Sequence, residues 1–125
     1  DFLTWEMCRE MAQSGLVEFG SHTYDSHKEA DPRGILHIKE ETPEEYAQRI
    51  FPDLQASIDL IEENVGVDYF AYPHGQTDSW SDAYLTEHFS VSVTTRHGAA
   101  DIRKGLYQMP RHNITMRAPV SQYLP

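Results

Sequence analysis

Residues 14–27 read Ser14-Gly15-Leu16-Val17-Glu18-Phe19-Gly20-Ser21-His22-Thr23-Tyr24-Asp25-Ser26-His27. The apolar run Leu16-Val17-Glu18-Phe19 reads as a strand, and Gly15 as the stop of a helix before it. A helix that passes into a strand with almost no loop is a connection of the α/β kind. The polar stretch that follows then lies at the C-terminal end of a strand. In α/β folds and barrels that edge binds ligands. The stretch carries two histidines five residues apart. A neutral imidazole binds borderline metals such as zinc. One face of a helix needs i, i+4 spacing, so His22 and His27 have to converge from a loop. Two solvated loop histidines fit the same residues.

Working outward, residues 4–14 read as a helix. Thr4 can cap it, Trp5, Cys8, Met11 and Ala12 share one stripe, and Cys8 reads as core. Residues 28–41 are irregular and read as a long loop over the site, with a turn at Asp31-Pro32-Arg33-Gly34. His37 reads as a surface or wedge residue. The clearest helix starts at Thr42-Pro43-Glu44-Glu45, which combines an N-cap, a proline at the first helical position and a capping box. Tyr46, Ile50, Leu54, Ile58 and Ile61 continue it at helical spacing, with Pro52 expected to kink or interrupt it. A strand over 67–72 runs into Pro73-His74-Gly75-Gln76. A short helix over 80–87, an alternating strand over 89–94, a loop over 95–101 and a strand over 106–114 complete the chain. This order suggests a parallel sheet or part of a barrel, an α/β protein.

Composition sets the outer bounds. The 125 residues suit one domain, and 20 acidic against 10 basic residues give a net charge of −10. Such a surface argues against nucleic acid and anionic membranes as partners. No apolar run is long enough to span a membrane. The single Cys8 can form no internal disulfide.

The ordered motifs resemble those of the polysaccharide deacetylases, carbohydrate esterase family four. Ser21-His22-Thr23-x-x-x-His27 looks like the family's second motif, and residues 14–23 look like the junction that leads into it. Phe70-Ala71-Tyr72-Pro73-His74-Gly75 resembles the third motif, usually Arg-x-Pro-Tyr-Gly. The form with Tyr-Pro and no Arg is similar to the branch acting on poly-β-1,6-N-acetylglucosamine, a biofilm exopolysaccharide. Pro110-Arg111-His112-Asn113-Ile114 falls where the last motif, usually Leu-x-His, would stand.

The resemblance implies a distorted (β/α) barrel and a metal-dependent amide hydrolase that removes acetyl from N-acetylglucosamine units. It implies zinc, or another divalent transition metal, held by His22, His27 and an aspartate. A second aspartate would be the general base. The backbone N–H of His74 would hold the oxyanion, and His112 would protonate the leaving amine. Tyr72, Pro73 and Arg111 would line the substrate, and Thr23 would buttress the loop through a backbone hydrogen bond. The envelope or extracellular space is the implied location. The first motif, Thr-Phe-Asp-Asp, has no counterpart, because no adjacent Asp-Asp pair occurs. The chain is therefore expected to be a single, N-terminally incomplete domain over 1–125, a partial barrel without its first strand or strands, and impaired in activity. Asp25, Asp31, Asp78 and Asp101 are the carboxylates that could substitute. Open sheet edges would invite pairing into a homodimer. A non-catalytic carbohydrate-binding or scaffold module, presenting Tyr24, Tyr72, Trp80 and Tyr107, and a zinc hydrolase of small amides stand as the other readings.

Overall fold

The computed structural model describes residues 2–114, Pro119 and Ser121. Helix α1 spans Trp5–Gln13, and the Thr4 hydroxyl accepts the Met7 N–H at 3.3 Å as its cap. Of its apolar stripe only Cys8 is buried. Helix α2 spans Pro43–Asn64 and opens with the expected capping box between Thr42 and Glu45. Its buried face is Tyr46, Ile50, Leu54, Ser57 and Ile58. Pro52 does not end the helix. Pro52 and Gln48, whose carbonyl loses its partner, are both exposed, so water can serve that carbonyl.

Strand β1 (Tyr69–Ala71) pairs in parallel with β2 (Val91–Val93), in the register Tyr69↔Val91 and Ala71↔Val93. Between them lie a 3-10 turn, Pro73–Gly75, and helix α3, Asp82–His88. Single parallel bridges extend the pair on both sides, Ser21 to Phe70 and Val93 to Met109. The four chain segments thus stand side by side in sequence order, all parallel, as consecutive strands of a (β/α) barrel wall do. No closed barrel forms among the described residues. The expected strand over 16–19 does not form, its only bridge falling beyond it at Ser21, and that over 106–114 is reduced to a bridge at Met109. Leu16 is 89% exposed, and a strand exists only where a neighbour takes up its backbone groups.

The core lies between α2, α3 and β1: Tyr46, Ile50, Leu54, Ile58, Phe70, Tyr72, Leu85 and Phe89. One further core residue, Ile35, comes from the 28–41 segment, which is irregular as expected and acts as a strap. Ile35 is fully buried, and its carbonyl accepts the Tyr46 hydroxyl at 2.7 Å. The Glu41 carboxylate clasps the Arg49 guanidinium at 2.7 and 2.8 Å, anchoring the strap's far end to α2. No described helix is long and apolar enough to cross a membrane.

Candidate active site

The bridge at Ser21 brings the histidine loop against the end of β1. Ser21 donates its N–H to Tyr69 and accepts that of Ala71, both at 2.9 Å. Its hydroxyl bonds the Ser57 hydroxyl of α2 in the interior. His22 follows directly, and its Nδ1 lies 2.6 Å from the Ala71 carbonyl oxygen. A carbonyl only accepts, so Nδ1 donates, and Nε2 keeps its lone pair. A backbone carbonyl that fixes the tautomer in this way is the usual support of a metal-binding histidine. Desolvation of the ring's protein-facing side pushes the His22 pKa below the ordinary imidazole value, against the raising effect of the Ala71 bond. The charges of His27, Arg111 and His74 push it further down.

The loop does converge. The rings of His22 and His27 pack with centroids 4.8 Å apart. The turn between them is held from α2. Asp53 accepts the Tyr24 N–H at 3.1 Å and the Asp25 N–H at 2.6 Å. Thr23 behaves differently from expectation. Its φ is 74°, and its buried hydroxyl has no partner among the described residues, so it buttresses nothing through that oxygen.

A third ring joins the pair. The side chain of His74, expected to contribute only its backbone, packs against His27 with centroids 4.2 Å apart and the planes tilted by 35°. Its Nδ1 lies 3.2 Å from the Arg33 guanidinium and its Nε2 3.1 Å from the Lys28 carbonyl. Arginine only donates and a carbonyl only accepts, so His74 is the Nε2–H tautomer with both nitrogens used. It is a wall of the site and has no lone pair left for a metal. Its backbone N–H has no acceptor among the described residues.

The remaining candidates sort by burial and partner. Tyr72 is 2% exposed and packs within the core, and Pro73 beside it is buried. Burial also raises the Tyr72 pKa. Arg111 donates its N–H to the Arg96 carbonyl at 2.9 Å, and its charge is felt at His22. His112 pairs with His97, Nδ1 to Nε2 at 3.2 Å, and lines a small cavity with Thr95, Arg111 and Asn113. Among the exposed aromatics, Tyr24 and Tyr107 keep open faces.

No carboxylate joins the histidine pair. Asp25 pairs with Lys28 at 3.0 Å, and Asp101 with Arg103 at 2.8 Å. Asp78 is buried and accepts both the N–H and Nδ1 of His37, at 2.8 and 2.7 Å. Asp31 lines a cavity between the strap and α2, which Asp25 and Ser26 of the histidine loop also line. Among the described residues no group of three or more His, Cys, Asp or Glu forms that could hold a metal. His22 and His27 thus come together as a pair, without a third such side chain beside them among the described residues. Sequence reasoning missed Asp53 and Arg33, whose partners in the site lie 28 and 41 residues away along the chain.

Comparison with known proteins points one way. The sequence model described as "Polysaccharide deacetylase" matches residues 3–89. A poly-beta-1,6-N-acetyl-D-glucosamine N-deacetylase of Escherichia coli strain K12 is 33% identical over 93 residues, covering 62% of this chain and 14% of that protein. Among solved structures, the BpsB deacetylase domain from Bordetella bronchiseptica superposes with a TM-score of 0.74 at 28% identity, over 89% of this chain and 48% of that one. IcaB from Ammonifex degensii gives 0.72 at 26% identity, over 91% and 48%. A de-N-acetylase from Aggregatibacter actinomycetemcomitans gives 0.75 at 25% identity, over 98% and 53%. The chain thus spans about half of these solved chains and a small part of the curated relative.

Proposed function

Because this chain belongs to the polysaccharide deacetylase family, we propose that its protein hydrolyses the acetamide of N-acetylglucosamine units in a polysaccharide. The observation that carries this reading is the His22–His27 pair at the end of β1, with the Nε2 of His22 left free by the Ala71 carbonyl. The named relative's substrate makes poly-β-1,6-N-acetyl-D-glucosamine the first polymer to try. The site of action we assign is the envelope or extracellular space, where such a polymer accumulates.

His22 and His27 would hold the metal, and zinc suits their neutral imidazoles. When bound, zinc supplies Lewis acidity toward the acetamide carbonyl and toward water. The third ligand and the general base are carboxylates that the described residues do not supply, so the chain alone is expected to turn over poorly. The free backbone N–H of His74 suits it to donate to the developing oxyanion. His112, beside His97, is placed in this scheme as the acid that protonates the departing amine. Arg111, close enough to His22 to act on its charge, would meet substrate polar groups. Self-association through the sheet edges at Ser21 and Met109 is a further expectation.

The test measures zinc content and acetate release from poly-β-1,6-N-acetyl-D-glucosamine, for the protein and for the His22→Ala, His27→Ala variant. Zinc and acetate lost together in the variant are the expected result. Zinc content unchanged in the variant would remove these residues from the metal site. Retention of oligosaccharide by metal-stripped protein, with no acetate released under any condition, would favour a binding module that uses Tyr24 and Tyr107. Release of acetate from small amides but not from the polymer would change the substrate class.

A further inference from the structure

The third-motif histidine is gripped from outside its own loop. His74 adopts φ 56° and ψ 7°, a left-handed backbone that non-glycine residues rarely take. Its side chain is only 7% exposed, and both of its ring nitrogens are bonded by one element, the strap. Lys28 supplies a carbonyl to Nε2, and Arg33 supplies a guanidinium N–H to Nδ1. Arg33 is itself braced by Glu29 at 3.2 Å, and the other oxygen of that carboxylate lies 3.7 Å from the His74 Nδ1. The strap is pressed onto this loop beside the clamp. A Cβ at Gly34 would come within 3.1 Å of the Pro73 carbonyl oxygen. On its other side the clamped ring is packed against His27.

We propose that Arg33 is a positioning residue of the active site. Its bond to Nδ1 fixes the tautomer and rotation of His74. The fixed ring backs His27 and keeps the His74 peptide in the conformation that leaves its N–H without an acceptor among the described residues. The inference rests on the proposed role of that N–H in deacetylation. It explains a local departure as well. Where the family's third motif usually has tyrosine, this chain has a histidine, whose Nδ1 gives a strap arginine something to hold. A tyrosine ring offers no nitrogen there.

Two measurements decide it. The first is the ¹⁵N chemical shifts of the His74 imidazole in the whole chain and in Arg33→Met. In the wild type, Nε2 should be protonated and Nδ1 should show an accepted hydrogen bond. In Arg33→Met, Nδ1 should lose that bonded shift, moving to the free imine value or, with the Glu29 carboxylate 3.7 Å away, to the protonated one, while amide signals away from 28–38 and 73–78 stay put. An unmoved Nδ1 would overturn the clamp.

The second is the deacetylation rate on the polymer. Arg33→Met should lower kcat by about ten- to a hundred-fold with KM unchanged, the size of loss that a small misplacement of reacting groups causes. In a His74→Tyr background the same substitution should cost nothing more. A full loss repeated in that background would mean that Arg33 acts on substrate directly. A wild-type chain that releases no acetate, for want of the third ligand and base, leaves the ¹⁵N measurement to decide the clamp, and the functional reading then stands or falls on zinc content in the wild type and the His22→Ala, His27→Ala variant.

Discussion

The carboxylate of Asp53, in the middle of α2, accepts the backbone N–H of Asp25 at 2.6 Å. The neighbouring N–H of Tyr24 reaches its other oxygen at 3.1 Å. One side chain thus satisfies two consecutive donors of the turn that carries His22 and His27. Helix α2 packs its apolar face on the core and, through this residue, sets the shape of a loop 28 positions earlier.

Replacing Asp53 with alanine should therefore loosen the histidine pair more than it loosens the fold. Supports of this kind behind metal ligands are worth roughly ten- to a hundred-fold in metal affinity. The stability cost should be about 1–3 kcal/mol, the range for hydrogen bonds to a charged group. Asp53→Asn keeps one good acceptor and should fall between. Zinc titration by calorimetry, with thermal melts alongside, checks both numbers. Wild-type zinc affinity in a folded Asp53→Ala protein would show that ring packing alone holds the pair.

The third-motif turn makes a second prediction, because two of its constraints can be separated. Gly75 has φ 72°, and a Cβ there would lie 2.0 Å from the Thr95 hydroxyl and 2.7 Å from the Thr95 backbone nitrogen. Gly66 has φ 80° and nothing within 4 Å. Gly66→Ala should cost only the left-handed backbone penalty, about 1–2 kcal/mol. Gly75→Ala should cost that plus the displacement of β2's exit, roughly 2–4 kcal/mol in all. Urea unfolding of both variants decides whether steric closeness matters at Gly75. Equal losses would mean that Thr95 moves aside freely.

Local chemistry was legible wherever it was complete within a few residues. The cap and box at Thr42 and Glu45 and the stripe from Tyr46 to Ile58 make α2 readable, because every partner lies within a turn or two. The pairing of His22 with His27 was legible for the same reason. The short strands were not. Residues 16–19 have the composition of a strand, but pairing begins only at Ser21, since the neighbour that defines a strand is supplied by β1, far along the chain. Arg33 was hidden differently. In sequence it is a turn residue, and nothing local says that it will meet His74. Tyr72 was ambiguous in sequence, since an aromatic next to such a motif suits a sugar ring as well as it suits a core, and its burial at 2% exposure comes only from packing.

The strap's second anchor carries a pH prediction. Arg49 holds the Glu41 carboxyl below the usual carboxylate range, chiefly through its side-chain hydrogen bonds, with the Ile38 N–H assisting. In turn, the same contact raises the Arg49 pKa. A carboxyl whose folded pKa is depressed stabilises the fold above its unfolded pKa, and that stability is lost as pH falls through the folded value. Glu41→Gln should therefore cost about 1–2 kcal/mol at pH 7, a charge-assisted pair replaced by a weaker neutral one. As pH falls through the folded pKa, which lies below the usual carboxylate range, the wild type protonates the same group, and the gap between the two proteins should close. Urea midpoints at pH 7 and pH 3 test this. The strap bearing Arg33 ends at this anchor, so the variant should also weaken the Arg33–His74 bond, visible as a partial shift of the His74 Nδ1 resonance. A gap of equal size at both pH values would mean that Glu41 stabilises the strap by packing and not by charge.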